Sequence, residues 1–186
     1  MSYMLFFWYL ILHCIVLQPV VSQQQYEKSG QDVQDTLEAM LVTVGPGDEL
    51  YSWWGHSAIV IEDTRDNTRI LYDYGQFSFE EDDFLRNFIF GRLWFSVGRM
   101  SAKYALQFWD SQNRYIRIQE LNLSPEKERE LQMILERDWL PENRVYLYDH
   151  YYDNCATRER RILNHILHGQ LREEFNRPSR YTSRDL

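Results

Sequence analysis

HSAIVIEDTRDNTRILYDY, residues 56–74, holds two runs of strand-forming side chains, His56 to Glu62 and Arg69 to Tyr74, on either side of the polar stretch Asp63-Thr64-Arg65-Asp66-Asn67-Thr68. Apolar, β-branched and aromatic runs bounded by turn-forming residues predict a β-hairpin. With the turn centred between Arg65 and Asp66, Ala58 falls opposite Asp73. The two-residue period of a strand then sets Asp73 on the same face as His56, one pair away. A slip of one residue hands that place to Tyr72 or Tyr74. The plain alternative for Asp73 is a solvated carboxylate near a turn.

Working outward, Thr36 to Met40 and Leu41 to Val44 predict a first strand, closed by the turn Gly45-Pro46-Gly47-Asp48. Glu80 to Phe90 reads as a short helix with an acidic first turn, Leu93 to Val97 as a strand and Ala102 to Trp109 as a helix. Arg114 to Leu121 alternates polar and apolar residues and predicts a half-buried strand. Ser124-Pro125-Glu126 starts a helix that buries Leu131, Ile134, Leu135 and Trp139 and stops before Pro141. Val145 to Tyr152 is extended. Ala156 to His168 is a helix with Ile162, Leu163, Ile166 and Leu167 on its buried stripe and Gly169 as its stop. With no internal repeat and no long Pro/Gly/Ser linker, the chain predicts one α+β domain over residues 36–175, antiparallel strands with packed helices, and a polar tail over 176–186.

The chain has 186 residues, and 20 Lys+Arg against 28 Asp+Glu leave a net charge of −8. That balance gives no broad attraction for phosphate backbones and counts against a nucleic-acid or strongly anionic-membrane binder. Ten Phe, thirteen Tyr and six Trp can fill a sizeable core and exclude a disordered acidic chain. Met1 to Val21 carries no Asp, Glu, Lys or Arg, Tyr3 to Leu17 is almost wholly apolar, and Val20-Val21-Ser22 offers small residues for cleavage before Gln23. Residues 1–22 read as a secretory signal without the usual positive start, an uncleaved anchor being the alternative; His13, Gln18 and Pro19 count against a stable span. Residues 23–35 read as a flexible leader. Cys14 lies in the signal, so the exported chain keeps only Cys155 and closes no internal disulfide.

A lone thiol is by count more often structural than reactive, but Asp153-Asn154-Cys155-Ala156-Thr157 puts this one at a predicted helix N-terminus, where unpaired N–H groups favour a thiolate. Trp54-Gly55-His56-Ser57 places an imidazole at the opening of a strand. His56 can serve Cys155 as a base only if the fold joins them. The other histidines carry less. His165 and His168 suit the C-terminal end of a helix dipole better than a metal, His150 sits in an aromatic wall or core, and Trp53 and Trp54 read as core before an acyl-chain pocket. Neither a metal nor a cofactor is called for.

Several runs resemble the N-terminal periplasmic domain of the Lnb-type lipoprotein N-acylation proteins. They are VGPGDELY at 44–51, GHSA at 55–58, YDYGQF at 72–77, PENR at 141–144 and YDHYYDNCATR at 148–158. The likeness runs from about Ala39 to about Leu171, and the Gly-His and Asp-Asn-Cys-Ala-Thr-Arg blocks in this order are its specific part. His150 stands where the family pattern leads one to expect an aromatic such as Phe.

The resemblance implies a circularly permuted papain-like fold, similar to NlpC/P60 domains, in which Cys155 attacks an ester carbonyl to form a thioester and His56 moves the proton. The oxyanion would sit at the helix terminus near the Cys155 N–H, flanked by Asn154 and Ala156; the hairpin register, apart from the resemblance, offers Asp73 to orient the imidazole, or Tyr72 or Tyr74 if it slips. The acyl donor is then a membrane phospholipid and the acceptor the α-amino group of a lipoprotein's N-terminal cysteine. Full-length members are expected to continue into transmembrane helices, whereas nothing after Val21 in this sequence can span a bilayer. A separate membrane-embedded partner is one way to supply lipid. Two other readings use the same residues: a Cys/His amidase or peptidase acting on cell-wall peptides from a narrow polar cleft, and a non-catalytic binding domain in which His56 never meets Cys155.

Overall fold

In the computed structural model, residues 36–77 and 83–176 are described; the expected signal, the leader, the start of the Glu80 to Phe90 helix and all but Asn176 of the polar tail lie outside them. The strands are β1 (Leu37–Val44), β2 (His56–Asp63), β3 (Thr68–Gln76), β4 (Leu93–Ser101), β5 (Ile116–Glu120) and β6 (Val145–Tyr148). They form a sheet in the order β5-β1-β2-β3-β4-β6, with every neighbouring pair antiparallel. The helices are α1 (Phe84–Ile89), α2 (Ala102–Ser111), α3 (Pro125–Trp139), α4 (Cys155–Ile166) and α5 (Gln170–Phe175). This is an α+β domain.

Both faces of the sheet are covered, and that explains the unbroken apolar run Ala58-Ile59-Val60-Ile61 in the central strand. On one face Met40, Val42, Val44, Ala58, Val60 and Leu71 pack against Ala102, Ala105 and Trp109 of α2. On the other Ala39, Ile59, Ile61, Tyr72, Tyr74 and Val97 pack against Leu131 and Leu135 of α3 and Ile166 of α4. Each fully buried Val, Ile, Leu or Met among them contributes roughly 1.5–3 kcal/mol, and the alanines much less. Polar ties fix α3 to the second face: the Tyr72 hydroxyl donates to Glu136 at 2.5 Å and the Tyr74 hydroxyl to Asp138 at 3.0 Å.

Three expectations need correction. The strand over Arg114 to Leu121 is an edge strand rather than half-buried: from Arg117 to Glu120 it is exposed, Ile118 included, because only β1 flanks it. Gly169, with φ of 90°, ends α4 in the left-handed conformation expected of it, but the chain then starts α5, which no periodicity announced. Trp53 and Trp54 are not core, being 56% and 72% exposed.

The hairpin pairs Ile59 with Tyr72 and Val60 with Leu71, so Ala58 falls opposite Asp73. Beyond Asp73 the β3–β4 pairing shifts register as far as Gln76. An irregularity of this kind bends a strand and re-aims its side chains, and here it sits beside His56.

Candidate functional site

Two short segments deliver the reactive groups. Gly55 turns the chain into β2 with φ of +76°, where an added Cβ would lie 2.7 Å from the Val44 carbonyl oxygen. Glycine alone makes that entry without strain. His56 is the first residue of β2 and Cys155 the first of α4, so imidazole and thiol project from the ends of their elements. The α4 start is held by a capping box: Asn154 Oδ1 accepts from the Thr157 N–H at 2.9 Å and the Asn154 N–H donates to Thr157 Oγ1 at 2.8 Å. Asn154 Nδ2 donates to the His150 carbonyl at 2.6 Å, so this side chain is committed to the cap and the preceding loop. Asp153 binds Arg158 at 2.7 and 2.9 Å and also Arg161, which locks the loop to the helix it feeds.

At the centre, His56 Nε2 lies 2.8 Å from Asp73 Oδ1. Asp73 also accepts from the Gly75 N–H at 2.7 Å and from Gln76 Nε2 at 2.9 Å. With Nε2 on the carboxylate, Nδ1 is left for the Cys155 thiol, which lies close enough for each group to shift the other. The backbone N–H groups of Ser57 and Ala156 are directed at the same sulfur and favour its thiolate. Trp109 stands edge-on to the imidazole at 5.7 Å. Gly75 packs on its other side, where an added Cβ would lie 2.6 Å from His56 Cε1. Asp73, His56 and Cys155 therefore lie in one line, the first two joined by a hydrogen bond and the last two electrostatically coupled. Tyr72 and Tyr74 face the opposite side of the sheet and bond to α3.

The electrostatics follow from this line. Burial pushes the Cys155 thiol up, but the hydrogen bond and charge of His56, with the two N–H groups, outweigh it and leave the thiol below its ordinary value. Burial disfavours the charged imidazole, yet the Asp73 charge and hydrogen bond, with smaller help from Cys155, hold His56 well above its ordinary value. Burial likewise raises Asp73, and His56, Gln76 and the Gly75 N–H bring it below the usual carboxylate range. Such an arrangement favours thiolate beside imidazolium.

An arc of aromatic rings passes through Tyr148, which lies near the Cys155 thiol. Tyr51 meets Phe77 at 5.7 Å, Phe77 stacks on Phe95 at 4.8 Å, Phe95 on Tyr148 at 4.1 Å, Tyr148 meets His150 at 5.2 Å, and His150 meets Trp54 at 6.4 Å. His150 is thus part of a wall and not of the core. Trp54 at its end is 72% exposed, and in the loop before Cys155 a separate aromatic, Tyr152, is 82% exposed.

The residues missed in the sequence are Ser57, Gly75, Gln76, Trp109 and Glu159. A signal existed for Glu159. It falls on the same stripe as Ile162, Leu163 and Ile166, where an apolar residue belongs, and it is buried.

Fold and site together define an α+β domain with a cysteine, a histidine and an aspartate aligned at one end of its sheet. The chain belongs to the Lnb N-terminal periplasmic domain family, whose model matches residues 23–184. No curated protein and no solved structure matched. The family is one of periplasmic domains, and among the described residues no helix is long and apolar enough to cross a membrane.

Proposed function

We propose that this domain is a thiol acyltransferase of lipoprotein N-acylation, with Cys155 as nucleophile, His56 as the proton carrier and Asp73 as its orienter. The reading is carried by the line from Asp73, hydrogen-bonded to His56, to the Cys155 thiol at the start of a helix. The contact between His56 and Cys155 weighs against a purely binding role. The aromatic arc favours an acyl chain over the polar peptide that a cell-wall amidase would take. Thiol at a helix N-terminus and histidine on a neighbouring strand also support the permuted papain-like reading.

In the first half-reaction the Cys155 thiolate attacks the carbonyl carbon of a phospholipid ester, the carbon–sulfur bond forms, and the N–H groups at the start of α4 lie where the oxyanion develops. The carbon–oxygen bond breaks and the imidazolium of His56 gives its proton to the leaving alkoxide. In the second half the α-amine of a lipoprotein's N-terminal cysteine attacks the thioester, His56 takes the amine proton, and the thiolate leaves. Asp73 keeps the ring in place through both transfers. A membrane-embedded partner would bring the lipid to the thiol.

The test is incubation with phospholipid vesicles and a lipopeptide bearing a free N-terminal cysteine, read by mass spectrometry. A hydroxylamine-sensitive acyl adduct on Cys155, and an amide on the lipopeptide, support the proposal. Free fatty acid without amide points to a hydrolase, and an unmodified Cys155 with neither product overturns the reading.

A further inference from the structure

Glu159 lies one turn beyond Cys155 on α4, only 2% exposed, and its Oε1 is buried with no hydrogen-bond partner among the described residues. Ser57, next to His56 on β2, shows the same anomaly, because its Oγ is buried and equally unpartnered. The two are neighbours, the hydroxyl lying close enough to influence the carboxyl. Two buried polar groups left without partners are unfavourable, and a single hydrogen bond between them satisfies both. The hydroxyl carries its own proton, so the direction of that bond depends on whether the carboxyl is protonated, which its surroundings decide. An ionised Glu159 would be a buried anion beside the Cys155 thiolate and the Asp73 carboxylate, with His56 opposing them. Tyr74, which reaches this region from β3, is uncharged.

Ser57 matters because its backbone N–H is one of the two that face the Cys155 sulfur. We propose that Glu159 is a positioning residue that acts as an uncharged acid: it donates to Ser57 Oγ, and through Ser57 it fixes the N–H that holds the thiolate. Burial raises the Glu159 carboxyl to about 8, the Cys155 and Asp73 charges adding to it and Ser57 and His56 opposing it, which keeps the acid protonated where the thiolate forms. Ionisation above that pH adds a negative charge next to the sulfur and disfavours the thiolate.

The inference rests on Cys155 being the nucleophile, and the experiment separates the two. The full chain is titrated with a thiol-alkylating probe from pH 5 to 10, as wild type and as Glu159→Leu, Glu159→Gln, Ser57→Ala and Glu159→Leu/Ser57→Ala, with unfolding curves for each. Glu159→Leu is expected to slow alkylation at pH 7 about tenfold, the effect of one hydrogen bond to a charged group, and to move the thiol titration upward. Glu159→Gln, which can still donate to Ser57, is expected to recover most of that loss. Ser57→Ala should match Glu159→Leu, and the double variant should be no slower than either, because both break one link.

If Glu159→Gln is as slow as Glu159→Leu, the carboxylate acts as an anion and the proposal is wrong. Multiplying effects in the double variant, or an unchanged thiol titration in Glu159→Leu, overturn it as well. A wild-type thiol that titrates normally removes the nucleophile reading itself, and this inference with it. Should Glu159→Leu fail to fold, Ser57→Ala alone decides, since it keeps the backbone N–H and removes only the hydroxyl.

Discussion

His56 Nε2 and Asp73 Oδ1 are 2.8 Å apart although 17 residues separate them, and the link depends on a hairpin register in which Ala58 lies opposite Asp73. One nitrogen of the ring is thereby used, and the other is directed to the thiol. Asp73→Asn removes the charge while keeping a side chain of the same shape. The imidazolium then loses its main support, and an opposite charge at this range shifts a pKa by about 1–3 units. The expected outcome is a fall in the upper limb of the alkylation profile by that amount, with a smaller loss of turnover than either Cys155→Ser or His56→Ala produces.

The ion pair sets a window in pH. Cys155 loses its proton below the ordinary thiol range and His56 keeps its proton above the ordinary imidazole range. Alkylation of wild type should begin well below pH 8.5, the ordinary thiol value being about 8.5. In His56→Ala burial acts on the thiol without compensation, and the onset should move to that value or above. An identical onset in both proteins would falsify the dyad.

Gly75 is packed too closely for any side chain. A Cβ there would stand 2.6 Å from His56 Cε1 and 3.2 Å from Asp73 Oδ1. Gly75→Ala should push the ring off Asp73, abolish rapid alkylation at pH 6–7, and destabilise the fold by about 1–3 kcal/mol, the usual effect of overpacking. Circular dichroism together with the alkylation rate would separate the local from the global effect.

Glu159 also sets a pH dependence of stability. Its folded-state value of about 8 stands above the ordinary 4.5, so the native protein holds a proton that the unfolded chain releases between those values. Stability therefore falls as pH rises through this interval and is unaffected by Glu159 below it. Glu159→Gln has no proton to retain. It should be more stable than wild type by up to about 3 kcal/mol at pH 7 and equal to it at pH 4, as denaturant unfolding at the two pH values can show.

The exposed aromatics should matter for substrate and not for folding. Trp54→Ala and Tyr152→Ala remove side chains that are mostly in solvent, so unfolding free energies should change by less than about 0.5 kcal/mol. If the arc and the neighbouring loop take an acyl chain, KM for long-chain esters rises in both variants while short-chain esters are turned over as before. Equal effects on both chain lengths would argue against an acyl-binding arc.

Local physics made most elements visible in the sequence. Ile59, Val60 and Ile61 against Ile70 and Leu71, with a polar turn between them, specify a hairpin whatever surrounds it, and Ser124-Pro125 or Asn154 followed by Thr157 specify helix starts through their own hydrogen bonds. By the same logic Cys155 stood out as a thiol at a helix N-terminus and His56 as an imidazole at a strand opening. The depth of β5 was misjudged because alternation reports which side a residue faces and not whether another strand or helix covers that side. α5 lacked a stripe to announce it.

Which side chains meet across the fold is set by how the elements pack. Cys155 and His56 are 99 positions apart, and their contact exists because α4 packs on the same sheet that β2 runs through, which no periodicity encodes. Asp73 could be placed from the hairpin alone, since register is a local count, but Gly75, Trp109 and Ser57 act on the site by proximity across elements. The same holds for Glu159. Its position on an apolar stripe was legible, whereas the pressure that keeps it protonated comes from burial and from Cys155 and Asp73, and burial is a property of the assembled core.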